Sequence, residues 1–166
     1  MNLTEAKKLI NSNIENFKKF DDRLKSNKEL ALKAVKENGY FLEFVHDNLK
    51  KENEVVLEAV KQNGYALEFA HESLRKNKEI VFEAIKQNGY ALEFAHESLR
   101  KDKTIVMKAV MNYCFALKFA DNILKNDKKI VLEAIKQYGY SLKHASKNLQ
   151  KDEEIVLEAL KKNVFS

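Results

Sequence analysis

From Asn77 onward, apolar residues fall at Ile80, Val81, Phe82, Ala84 and Ile85, with Glu79, Glu83, Lys86 and Gln87 between and beyond them. The pairs 80/84 and 81/85 are each one helical turn apart, so the spacing predicts a helix of about ten residues whose apolar arc is wide. Such a helix packs on more than one side, as it does when it lies between neighbours in a stack. Asn77 is placed to cap its start, and Glu79 in the first turn suits the positive end of the helix dipole. Asn88-Gly89 stops it, with the glycine expected in the left-handed conformation just past the cap and Tyr90 packing back on Ile85. A second, shorter helix follows with Ala91, Leu92, Phe94 and Ala95 buried and Leu99 closing the unit; His96-Glu97-Ser98 belongs to that helix or to a turn before Leu99.

This pattern recurs. The stretch Lys61–Lys76, KQNGYALEFAHESLRK, returns unchanged at Lys86–Lys101, and the glycine recurs every 25 residues at Gly39, Gly64, Gly89 and Gly139, with Cys114 in its place once. Unit starts fall at Asn27, Glu52, Asn77, Asp102, Asp127 and Asp152. A fixed period of this size marks a stacked-repeat architecture, because one helix pair cannot bury its own apolar face. The predicted fold is an all-α solenoid forming a single domain, residues 1–166. It comprises an amphipathic N-terminal cap (residues 1–26), five two-helix repeats (27–151) and a terminal half repeat (152–166). Within the cap, Phe20 and Leu24 match Val45 and Leu49 one period later, so this segment reads as a degenerate repeat. The tyrosines at 40, 65, 90 and 140 read first as packing pins.

Composition adds little that the periodicity does not already carry. There is no proline, and the four glycines are the turn residues just named. No apolar run reaches the roughly 20 residues of a membrane span, and the N-terminus lacks the apolar stretch of a secretory signal. With one cysteine no intramolecular disulfide forms, and the expected setting is reducing and cytoplasmic, in the producing or a host cell. A net charge of +5 leans only weakly toward acidic partners.

The run of letters from Ala59 to Ala70 and from Ala84 to Ala95, with the opening Asp152 to Leu160, resembles the DUF4116 repeat family over about residues 27–163. The resemblance implies an α-helical repeat module of a kind found in proteins of bacteria and their associated viruses or hosts. It implies no activity and supplies no catalytic residue. Members of the family usually carry serine where this chain has His46, His71 and His96, and glycine where it has Cys114.

Four features are candidates for chemistry. His46, His71 and His96 recur at the repeat period, but stacked helices lie about 8–10 Å apart, too far for one histidine per unit to share a zinc ion, so no metal is expected. Cys114 has no histidine base near it in sequence, and no phosphate loop, dinucleotide fingerprint or hydrolase motif occurs; the chain reads as a non-enzyme without a cofactor. Lys50, Lys51, Arg75, Lys76, Arg100, Lys101, Lys125 and Lys151 fall at the inter-repeat turns and would line one basic edge able to track phosphates. Finally, the fourth and fifth units depart from the repeat. Met111 stands where Lys36, Lys61, Lys86 and Lys136 stand, while Tyr113 and Tyr138 replace the asparagine before the turn. Large side chains at positions that should be wet mark partner surfaces.

These observations favour a protein-binding module, acting as an adaptor or as an inhibitor of a larger partner, with contacts at Met111, Tyr113 and Tyr138. The alternative is nucleic-acid binding along the basic edge. An inhibitor of a nuclease, or of another nucleic-acid-binding protein, would combine both features.

Overall fold

A computed structural model describes residues 1–164, the last two of these by backbone only. The described residues are all-α, in repeating units of the same construction. Seven longer helices recur at the repeat period: α1 (Leu3–Ser12), α2 (Lys28–Glu37), α3 (Asn53–Gln62), α4 (Lys78–Gln87), α5 (Lys103–Asn112), α6 (Lys128–Gln137) and α7 (Glu153–Val164). The chain divides into two compact units, Met1–Gln87 and Asn88–Ser166. No helix among the described residues is long and apolar enough to cross a membrane.

The helix starts are those the sequence marks. Asn27 accepts from the Leu30 N–H, Asn77 from Glu79 and Ile80, Asp102 from Thr104 and Ile105, and Asp127 from Lys129 and Ile130. Glu52, the one start with a longer side chain, makes no such bond, since its carboxylate overshoots the N–H groups that a shorter acceptor reaches. Each of α2 to α6 buries two adjacent pairs on the expected arc, for example Val55, Val56, Ala59 and Val60 in α3 and Ile130, Val131, Ala134 and Ile135 in α6.

The second element of each repeat is not an α-helix. It is a short 3-10 segment, such as Gly39–Phe44, Gly64–Phe69, Cys114–Phe119 or Gly139–His144. A separate single turn follows, as at Glu72–Arg75, Glu97–Arg100 and Asn122–Lys125. The N-terminal segment has the same construction, α1 being followed by a 3-10 stretch (Ile14–Lys19) and a turn (Asp22–Lys25).

The glycine reading is corrected. No described residue, glycine included, has positive φ. Asn38, in extended backbone at φ −152° and ψ 117°, ends α2 and caps the 3-10 segment at once, its side chain accepting from the Tyr40 N–H at 2.9 Å. Gly39 is needed for another reason: a Cβ there would lie 2.3 Å from the carbonyl oxygen of Ala59, on the helix of the following repeat. Gly89 meets Ala109 O at the same distance. The alanines at these crossings are fully buried, so repeats approach backbone to backbone.

Two ladders join repeats within each compact unit. One is made of backbone: His46 N–H donates to Lys25 O and His71 N–H to Lys50 O in the first unit, as Asp121 N–H does to Arg100 O and Ser146 N–H to Lys125 O in the second. The other is ionic. Lys28 reaches Glu54 at 2.8 Å and Glu52 at 3.6 Å, Lys128 reaches Asp152 at 2.7 Å, and Lys103 pairs with Asp127. From Glu52 onward only Asn77 is a neutral start, and it is preceded one repeat earlier by neutral Asn53 where the acidic starts are preceded by lysine.

The lysine hydrogen bonds hold the carboxyls of Glu54, Asp127 and Asp152 below their usual range. A depressed carboxylate stabilises the fold above its unfolded pKa and loses that contribution as pH falls through the folded one. The melting temperature should therefore be flat from pH 8 to 5 and decline below about pH 4. Lys103→Met and Lys128→Met should shrink the difference between melts at pH 7 and pH 3. An undiminished difference in both would assign the acid loss to other carboxylates.

Candidate functional site

Three 3-10 segments carry a band of aromatic rings along the second compact unit. Tyr90 lies 6.1 Å from Tyr113, Tyr113 lies 5.6 Å from Phe115, Phe115 lies 5.7 Å from Tyr138, and Tyr138 lies 6.2 Å from Tyr140, all between ring centroids. The rings meet at steep angles, 75° for Tyr113–Phe115 and 89° for Phe115–Tyr138. Tyr138 and Tyr140 are 40% and 54% exposed, whereas Tyr113 and Phe115 are half-buried. The first unit carries a smaller band, Tyr40 stacking on Tyr65 and meeting Phe69 edge-on. The tyrosines are thus not simply buried pins: Tyr40 and Tyr140 keep about half of their surface in water.

Tyr113 and Tyr138 owe their position to the extended residue that joins helix to 3-10 segment. Asn38, Asn63 and Asn88 use that position to cap, accepting from the N–H groups of Tyr40, Tyr65 and Tyr90. The tyrosines keep the same backbone, φ −149° and −154°, and make no side-chain cap. A capping bond of this kind is worth about 1 kcal/mol, so each exchange gives up local stability and gains a ring. Met111 is 55% exposed at the end of α5, where the Gln137 side chain donates to its carbonyl at 3.2 Å. The sequence-predicted residues Tyr113 and Tyr138 are therefore brought into one surface by Phe115, and Met111 stands two residues before Tyr113 in the chain.

Two lysines lie on this band. Lys143 Nζ is 4.2 Å from the Tyr140 ring centre and 5.7 Å from that of Phe115, and Lys118 Nζ is 5.4 Å from that of Phe119. His144 stands 5.7 Å from Phe115, and its pKa is pushed below the usual imidazole value by burial and by Lys143, Lys118 and Lys125, so it is neutral at pH 7. Sequence reasoning missed Lys118, Lys143 and Phe115. It also missed Ile123, which is 79% exposed on the turn Asn122–Lys125 where the two identical copies have Ser73 and Ser98. Alignment with the identical copies at Lys61–Lys76 and Lys86–Lys101 would have found all four.

The basic edge is less basic than its letters. In the first unit Lys50 pairs with Asp47 at 3.0 Å and Lys76 with Glu72 at 2.8 Å; Lys51 is exposed and Arg75 half-buried. In the second, Lys101 faces Glu97 at 3.8 Å, and burial lowers the pKa of Lys125; Arg100 is half-buried and Lys151 exposed. The carbonyls of Lys50, Arg100 and Lys125 accept the inter-repeat bonds, which gives this turn a structural task of its own.

The histidine column is a row of caps. His71 Nδ1 accepts from the Ser73 N–H at 3.2 Å and lies 2.8 Å from its Oγ; His96 and Ser98 repeat this, and His46 does so with Asn48. Asp121 fills the same role one period on. Among the described residues no three histidine, cysteine or acidic side chains cluster as metal ligands would. His71→Ala should cost about 1 kcal/mol and His71→Asp nothing, read by thermal melts. A tight zinc titration abolished by His71→Ala with His96→Ala would show instead that these rings are ligands. Cys114 is buried, and that burial pushes its thiol pKa up, away from the thiolate a nucleophile needs.

Comparison with known proteins agrees with the repeat reading. The sequence profile of the domain of unknown function DUF4116 matches residues 6–50, 53–100, 77–125, 102–150 and 127–166, each of the central matches spanning two of the structural repeats. No curated protein and no solved structure is significantly similar to the chain. With matches running from the first helix to the last, including the N-terminal segment read from sequence as a degenerate repeat, the chain belongs to the DUF4116 family.

Proposed function

We propose that the chain is a non-catalytic protein-binding module, an adaptor or an inhibitor that covers a surface of a larger protein, and that the aromatic band of the second compact unit is its contact face. The observation that carries this reading is the exchange of a capping asparagine for tyrosine at both Tyr113 and Tyr138. Each exchange sacrifices a local bond and leaves ring surface in water, costs that the repeats keeping asparagine avoid. Tyrosine contributes heavily at protein interfaces because it brings large contact area with little rotamer entropy. Met111 and Ile123, both exposed where sister repeats are polar, extend the apolar surface of the same repeats. The buried, high-pKa thiol of Cys114 supports a role without covalent chemistry.

Nucleic acid tracked along the inter-repeat turns is the competing reading, and the carboxylates beside Lys50, Lys76 and Lys101 weigh against it. Affinity capture on the immobilised chain separates the two. Partners that survive nuclease treatment and disappear with Met111→Lys, Tyr113→Asn and Tyr138→Asn support the proposal. Partners lost to nuclease alone would point to the basic edge.

A further inference from the structure

The position three residues before the column of caps reads Glu43, Glu68 and Glu93 in three repeats, then Lys118 and Lys143 in the next two. The charge reversal occurs in the same two repeats that exchange asparagine for Tyr113 and Tyr138. Two independent departures from the repeat therefore fall on one surface, one adding rings and the other replacing negative charge with positive.

We infer that this surface accepts an acidic, extended polypeptide segment whose carboxylates alternate with apolar or aromatic side chains; the inference rests on the protein-binding reading above. Charge complementarity selects the acidic class. Lys118 and Lys143 are exposed, and with Lys125 they add to the burial that lowers the pKa of His144. The ring geometry favours polypeptide over nucleic acid. Bases stack on open, parallel ring faces. Here Phe115 meets Tyr113 at 75° and Tyr138 at 89°, and the faces of Tyr140 and Phe115 lie under the Lys143 ammonium. An ammonium held over a ring is desolvated on one side and is left free to pair with a carboxylate on the other. The clefts between steeply tilted rings take an aliphatic or aromatic side chain edge-on. An extended segment alternates its side chains and can meet both demands in turn.

The test uses the full chain and three labelled probes read by fluorescence anisotropy: a glutamate–tyrosine copolymer, polyglutamate, and an oligothymidylate. The copolymer should bind more tightly than either of the others. Lys118→Glu with Lys143→Glu should weaken it by about tenfold or more at low salt. The fold should tolerate these changes, since Glu68 and Glu93 already occupy the position, and unchanged melts would verify this. Lys118→Arg with Lys143→Arg should retain binding. Failure of the copolymer to bind, equal binding by the glutamate variant, or tighter binding of oligothymidylate would each overturn the inference. A native partner lost with the Met111, Tyr113 and Tyr138 variant, yet retained by Lys118→Glu with Lys143→Glu, would sink the acidic segment and leave the protein-binding reading standing.

Discussion

Gly39→Ala and Gly89→Ala are each expected to lower the melting temperature by about 5–10 °C, the result of roughly 2–3 kcal/mol of overpacking in a chain of this length. The added methyl would stand 2.3 Å from a backbone oxygen, that of Ala59 or Ala109. Neither oxygen belongs to a flexible side chain, so relief requires two repeats to move apart. At Gly89 the methyl also meets the Tyr113 N and Cβ at 2.9 Å. Asparagine discriminates between causes. It enters the left-handed region readily, so Gly39→Asn would be mild if dihedral freedom were the reason for glycine. With φ negative it should be at least as damaging as alanine. Cys114 supplies the control. It already carries a Cβ at the equivalent position, so Cys114→Ala should cost no more than about 1 kcal/mol. A melt for Gly39→Ala indistinguishable from wild type would show that the inter-repeat approach is soft.

Met111→Lys combined with Tyr113→Asn and Tyr138→Asn should separate binding from stability. Burying a large apolar side chain in a partner is worth about 1.5–3 kcal/mol, so losing two or three of them weakens binding by a factor on the order of hundreds. Stability should fall by less than the lost ring contacts alone would cost. The two asparagines regain caps worth about 1 kcal/mol each, while the ring contacts given up, Tyr113 with Tyr90 and Phe115 and Tyr138 with Phe115 and Tyr140, are worth about 0.5–1.5 kcal/mol apiece. A surface kept for packing alone would lose stability when its rings go and leave affinity untouched. Affinity for a captured partner within twofold of wild type would move the interface off this band.

What could be read from the letters was whatever is local to one repeat. The starts at Asn27, Asn77, Asp102 and Asp127 were legible because a cap joins atoms two or three residues apart. The buried arc of each long helix was legible for the same reason. The 3-10 character of Gly64–Phe69 was not, because six residues cannot distinguish a period of 3.0 from one of 3.6. The role of Gly39 escaped because its cause lies in another repeat: Ala59 O is twenty residues away in sequence and reaches the site only through packing. Likewise spacing alone argued against the histidine column as a ligand set but did not reveal its capping role, which shows in the N–H groups that Ser73 and Ser98 donate to it. At the site, the pairing of Tyr113 with Tyr138 was visible as a departure from the repeat, whereas Phe115, which links them, passed unnoticed as one aromatic residue replacing another.

The backbone ladder from Lys25 to His46 and from Lys50 to His71, repeated from Arg100 to Asp121 and from Lys125 to Ser146, fixes how such a chain can change its length. A joint made of peptide groups has no letters of its own. Histidine, aspartate and serine all donate the same N–H across it, and lysine and arginine offer the same carbonyl. A copied unit therefore arrives already fitted to its neighbour. Gain or loss of a whole period regenerates the joint, whereas an insertion of any other size turns the N–H away from its acceptor. Recombination between duplicated stretches is thus tolerated in steps of one repeat, and the surface side chains remain free to diverge while the length is adjusted beneath them.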